Sequence, residues 1–341
     1  MHKLRALIKQ IEATHKGLGA LVAVNILAAK AKICILNVAP AGCGKSAATD
    51  IVHKMLGDQT KLYTSVTLAG LVHLRKDLTE SNYHIIIDDL GAEKSQWSKV
   101  STITVLATLV HTHNIHKITQ GYEIKISNFQ GSASLNIQPV LMSGIVQEDD
   151  WVSVIRDKVL RYYHLIRPIN PKKLLPNLEM EWGASIDDVK VPSETGKLWY
   201  QLLYIGLTQW SYARCKEHLP NLLRASAALD GRKKVNNTDY NLLIKLLLPM
   251  QLERYIITSY GFEEGRVFQN NTYCILVEIA SHGAPTMETV AEDYKVSPST
   301  TERLAVTAGE WCWVESTDKR RIKPTKEAEK ILQLIGVGQK W

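Results

Sequence analysis

A lysine, a serine and two aspartates stand in this chain at spacings suited to phosphate chemistry. Ala39, Pro40, Ala41, Gly42, Cys43, Gly44, Lys45 and Ser46 follow the apolar run of residues 33–38, and Ala47 begins an Ala-rich, helix-favouring segment. Glycines at 42 and 44 let backbone N–H groups close around a triphosphate. The Lys45 ammonium can reach the β and γ phosphates, and the Ser46 hydroxyl can ligate Mg²⁺. Residues Ala39 to Ala47 are therefore expected to hold ATP (or GTP) with Mg²⁺. Ala39 stands where the strict pattern has glycine, at a position that shapes the turn. Cys43 reads as a passive small residue, with a reactive thiol at the positive end of a helix as the alternative.

A second apolar run, residues 82–89, ends in Asp88 and Asp89. A buried parallel strand delivers acids to its carboxyl edge in this way, where nucleotide sites form. Asp88 would then hold Mg²⁺ through water, and Asp89 would orient or activate the attacking water. Helix capping is the other use of such a pair.

The stretch Ile85-Ile86-Ile87-Asp88-Asp89-Leu90-Gly91-Ala92-Glu93, with Trp97 close behind, resembles the Walker B region of helicase loaders and transposon-associated ATP-binding proteins of the AAA+ superfamily. Many AAA+ enzymes place Glu where this chain has Asp89. The resemblance implies an α/β P-loop AAA+ core with a helical lid, and the order of segments adds a C-terminal winged-helix domain.

The elements needed to position these groups can be sketched from periodicity. Candidate strands are residues 33–38, 61–66, 84–88, 138–143 and 161–167, separated by helical stretches over residues 1–167. Residues 118–132 alternate and are punctuated by glycine, which predicts a hairpin. The strand at 138–143 would put Ser143 beside the site, where the resemblance implies a first sensor. The segment 155–168 is similar to the region that carries an arginine finger, with Arg161 the first choice and Arg156 in reserve.

Residues 168–193, rich in Pro, Asn and Lys, read as a connection between domains. The helical stretch over 194–262 resembles an AAA+ lid of the minichromosome-maintenance type, which implies Arg224 or Arg214 as a second sensor. Residues 263–341 read as three helices, the third capped by Ser297 with proline at its first turn, followed by two strands around a basic turn. This is a winged-helix pattern. Its recognition helix would present Ser299, Thr300 and Arg303 to duplex DNA, and the wing Lys319, Arg320, Arg321 and Lys323.

Composition limits the remaining classes. The 341 residues carry a formal net charge of +7, compatible with a polyanionic partner. Cysteines 34, 43, 215, 274 and 312 show no paired spacing, so neither a zinc framework nor a disulfide scaffold is expected. His111, His113 and His116 crowd together without an accompanying carboxylate or Cys pattern. Neither a membrane span nor a signal peptide is read, and the expected compartment is the cytoplasm. Taken together, the sequence predicts a Mg²⁺-dependent ATPase that acts on DNA as a ring or spiral of identical subunits. The alternatives are an ATP-gated winged-helix transcription regulator and an ATP-dependent adaptor whose main partner is a protein.

Overall fold

The computed structural model describes residues 2–90, 95–119, 121–146, 148, 151, 155–168, 185–192, 195–258, 270–309, 311–316 and 319–337. Two helices open the chain, α1 (Lys3–Thr14) and α2 (Gly19–Lys30), and lead into β1 (Cys34–Val38). There follow α3 (Lys45–Leu56), β2 (Thr60–Tyr63), α4 (Leu68–Leu78), β3 (His84–Ile87) and α5 (Gln96–Thr112). Strands β4 (Ile115–Thr119) and β5 (Tyr122–Ile126) form an antiparallel hairpin. Next come β6 (Ser132–Ile137), α6 (Pro139–Val146), the single turn α7 (Arg156–Lys158) and β7 (Val159–Tyr163).

Five of these strands form one parallel sheet in the order β2-β3-β6-β1-β7. The expected strand at residues 138–143 is corrected: the strand is β6, and that segment is helix α6. Pro139 suits the first turn of a helix, and Leu141 and Met142 both donate their backbone N–H to the Gln138 carbonyl. Ser143 thus lies within a helix rather than at a strand end.

Helices cover both faces of the sheet. On one side, Leu36, Ile87 and Leu135 pack against Ile103 and Leu106 of α5. On the other, Ile35, Ile86 and Leu160 meet α2 and α3, and α2 in turn lies under α1 and the later helices. Helix α2 is apolar all round and buried along nearly its whole length, as a helix enclosed on every side must be.

The chain continues through a short 3₁₀ turn (Ile186–Asp188) into α8 (Lys197–Gly206), α9 (Tyr212–Leu229) and α10 (Asn237–Leu247), then α11 (Glu253–Thr258). A capping box fixes the start of α10: Asn236 caps it, and the Asp239 carboxylate accepts from the Asn236 N–H at 2.9 Å. Buried Asp239 is also gripped by Arg232 at 2.6 Å and by Ser226 at 2.7 Å. Residues 169–184, most of the expected connection, and residues 259–269 lie outside the described residues.

The last part of the chain holds α12 (Asn270–His282), α13 (Met287–Tyr294) and α14 (Pro298–Thr307). It ends with β8 (Cys312–Val314), β9 (Ile322–Pro324) and α15 (Lys326–Leu334), the two strands pairing antiparallel. No helix among the described residues is long and apolar enough to cross a membrane.

Candidate nucleotide site

The loop between β1 and α3 turns on two glycines with positive φ, Gly42 at 77° and Gly44 at 75°. A Cβ at Gly42 would meet nothing, whereas one at Gly44 would stand 2.8 Å from Leu18 and 3.0 Å from Pro168. Gly44 is thus required twice, by conformation and by the close approach of two side chains. Lys45 folds back on its own loop, donating to the carbonyls of Ala39 at 2.5 Å and Pro40 at 2.9 Å. Burial pushes its ammonium below the ordinary lysine value, opposed by the nearby carboxylates of Asp89 and Asp88. An anion in the loop would relieve that desolvation.

Ser46 is exposed at the first turn of α3, and Asp88 and Asp89 follow directly on β3. Both aspartates are held through the backbone, Asp88 N–H to the Tyr63 carbonyl and Asp89 N–H to that of Thr64, each at 2.9 Å. Asp88 is half-buried and Asp89 exposed. Cys43 is buried, and burial pushes its thiol up to about 12, so the reactive alternative for this residue does not fit the structure.

Sequence reasoning missed Asn136. It lies near the end of β6 and donates from Nδ2 to Asp88 Oδ1 at 2.9 Å and to Thr49 Oγ1 of α3 at 3.2 Å. Its carbonyl oxygen accepts from Asn37 at 2.9 Å, and Asn37 exchanges two hydrogen bonds with Asn25 of α2, each at 3.0 Å. Ser134 donates to Asn25 at 2.7 Å and meets His84 Nε2 at 3.0 Å. A buried polar chain therefore crosses the sheet from the start of β3 to Asp88. The signal was present as Ser132, Ser134 and Asn136 at every second position, polar groups that point to one face of a wholly buried strand.

Arg161 is corrected. It is fully buried in β7, with its guanidinium paired to Glu253 through Nε at 2.9 Å and Nη2 at 2.6 Å. It also donates to the carbonyls of Gln209, Val159 and Arg156. A side chain so enclosed cannot reach into another subunit's site. Arg156, one turn before β7, is exposed.

Arg214 and Arg224, expected to supply a second sensor, are not brought to the loop. Arg214 pairs with Glu217 at 2.6 Å, and Glu217 meets His111 at the far end of α5. Arg224 donates to Asn221 at 2.9 Å, and Asn221 lines a cavity with Lys32 and Cys34 at the amino end of β1. Both arginines thus sit toward the edge of the sheet opposite Lys45.

The three crowded histidines also part company: His111 meets Glu217, His113 the Phe129 carbonyl and His116 Glu123. Gly91, Ala92 and Glu93 lie outside the described residues.

In the C-terminal part, the side chains expected to touch DNA differ in freedom. Ser297 caps α14, accepting from the Thr300 N–H at 3.2 Å, and its hydroxyl lies 2.9 Å from those of Ser299 and Thr300. Arg303 and Lys319 are exposed. Arg320 pairs with Glu302 of α14 at 2.7 Å, and Arg321 donates to the Ala284 carbonyl at 3.0 Å. Lys323 stands opposite Trp313, a residue 51% exposed and an aromatic neighbour that the charge pattern alone does not reveal.

No protein-family profile matches the sequence, and no curated protein does. Among solved structures the chain is similar to the Holliday junction branch migration motor RuvB of Thermotoga maritima, at 12% identity and a TM-score of 0.26, over 93% of this chain and 94% of that one. A variant of that motor is 15% identical with a TM-score of 0.26, over 97% and 95% of the two chains. Superposition at this level carries no argument about site or activity. The parallel sheet, the phosphate loop after β1 and the acids after β3 themselves fit an α/β AAA+ core.

Proposed function

We propose that this chain is a Mg²⁺-dependent AAA+ ATPase that acts on DNA, coupling ATP binding and hydrolysis to remodelling, loading or translocation. The observation that carries the reading is the meeting of the Gly42–Ser46 loop with Asp88 and Asn136 at one edge of the parallel sheet. The exposed Ser46 and half-buried Asp88 are hard oxygen donors that fit Mg²⁺, which would neutralise phosphate charge when bound. Asp89 would orient water toward the γ-phosphate, with Asn136 taking the sensor position first expected of Ser143.

In this reading residues 1–167 are the ATPase core, 194–262 the lid and 263–341 a winged helix that contacts duplex DNA. Arg156 is the finger. It precedes β7 at the amino edge, about one strand length (roughly 17 Å) from the loop of its own chain, so it would serve the site of a neighbouring subunit in a ring or spiral.

An apolar groove between α8 and α10, lined by Tyr200, Tyr204, Ile205, Ile244 and Leu248, supports a second reading in which the main partner is a protein. DNA binding separates the two. The full chain is expected to bind duplex DNA with an affinity that falls steeply with salt, and the paired substitution Arg303→Ala, Lys319→Ala should flatten that dependence by about 2 units of log–log slope. Salt-insensitive binding, or none, would favour the adaptor.

A further inference from the structure

Behind the phosphate loop, the segment leaving β7 meets α12 and α13 in a cluster of charged groups that the nucleotide chemistry does not use. Glu278 and His282 lie one turn apart on α12, and Asp293 stands near the end of α13. His282 Nε2 is 3.4 Å from Glu278 Oε2 and 3.3 Å from Asp293 Oδ2. Arg167 approaches the other oxygen of each carboxylate, Glu278 Oε1 at 3.1 Å and Asp293 Oδ1 at 3.9 Å. The guanidinium is fixed over the Tyr294 ring at 4.8 Å, and its residue donates a backbone N–H to Ser281 at 2.9 Å. One nitrogen and two carboxylate oxygens therefore lie within 4.8 Å of one another.

We propose that Glu278, His282 and Asp293 form a divalent transition-metal site of the Zn²⁺ class. Two observations point to it independently. The first is spacing: ligand atoms about 2.1 Å from a tetrahedral Zn²⁺ stand about 3.4 Å apart, which is the separation found from Nε2 to both carboxylates. The second is Glu278 itself. The residue is fully buried, yet neither carboxylate oxygen accepts a hydrogen bond among the described residues. Its buried oxygens are faced by the Arg167 guanidinium at 3.1 Å and the His282 imidazole at 3.4 Å, neither in hydrogen-bond geometry, so a buried carboxylate is left with acceptor capacity that a metal ion would take up.

His282 and Asp293 are each one-third exposed, which leaves a path for the ion and a position for water. One imidazole with two carboxylates suits Zn²⁺ or Co²⁺ better than Mg²⁺, which prefers oxygen donors alone. The site would tie α12 and α13 to the Arg167–Pro168 segment, whose proline packs 3.0 Å from the position a Cβ would take at Gly44.

The test uses the full chain, stripped by chelation and titrated with Co²⁺ under excess Mg²⁺, with visible absorption as the readout. Uptake of one equivalent with the d–d bands of a four- or five-coordinate N/O site, displaced by Zn²⁺, is expected. His282→Ala and Asp293→Asn lie at the surface and should keep the far-ultraviolet circular dichroism of the parent while weakening uptake by about 10–100-fold or more. Absence of uptake by the parent, uptake unchanged in both variants, or a thiolate charge-transfer band indicating cysteine ligation would each overturn the site.

Discussion

Asn136 is the residue on which the proposed nucleotide site turns, because its amide joins Asp88 after β3 to Thr49 of α3, the helix that follows the glycine loop. Its own orientation is fixed by Asn37 and Asn25, so the amide needs no reorganisation to present a donor at Asp88. Asn136→Ala is expected to lower kcat by about 100-fold with little change in ATP affinity, measured by steady-state hydrolysis beside equilibrium binding. An equal loss in both would mean that the residue shapes the pocket instead.

At the other end of the same chain, His84 is buried between Ser132 and Ser134, and burial pulls its imidazole from 6.5 down to about 3. The folded state therefore binds fewer protons than the unfolded one between these values. Its contribution to stability is complete above pH 6.5 and is lost as the pH falls, by up to about 1.4 kcal/mol per unit. Urea unfolding of His84→Gln should show a shallower loss between pH 6.5 and 4.5 than the parent. Parallel curves would place the acid sensitivity elsewhere.

Among the elements, β7 shows why Arg161 is structural. The strand lies at the edge of the sheet, where an unpaired backbone would invite another strand. Gln209 covers that edge with its side-chain amide, accepting from the Arg161 N–H at 2.9 Å and donating to the Arg161 carbonyl at 2.7 Å. The guanidinium then anchors Glu253 from α11. Arg161→Ala leaves that carboxylate buried without its counter-charge, held by the Tyr163 hydroxyl at 3.1 Å, so a loss of about 3–5 kcal/mol is expected in denaturant unfolding. A loss under about 1 kcal/mol would contradict the role.

The same elements show what the sequence made legible. The phosphate loop and the acids after β3 were readable because backbone geometry and charge require those residue types at those places. The hairpin, the helix start at Ser297 and the strand pair β8–β9 followed from turn and cap chemistry. Strand β6 was not readable from periodicity: Ser132, Ser134 and Asn136 look solvated until Asn25, His84 and Thr49 arrive from other elements to satisfy them. The apolar run Val140-Leu141-Met142 then drew the strand into what is a helix. Arg161 was misplaced for a related reason, since its partner Glu253 is remote in sequence.

For the whole molecule, the nucleotide loop, the polar chain behind it and the charged C-terminal surface are separate pieces of chemistry on one chain. The central claim is that the loop at the carboxyl edge binds ATP, and the most direct check is a titration of the full chain with ATP in the presence of Mg²⁺, beside Lys45→Ala. One saturable site per chain is expected. Loss of the Lys45 ammonium should weaken it by about 10–100-fold, as removal of a charge-assisted contact worth about 1.5–3 kcal/mol requires. Binding of equal strength in the two proteins would contradict the claim, as would no binding by the parent.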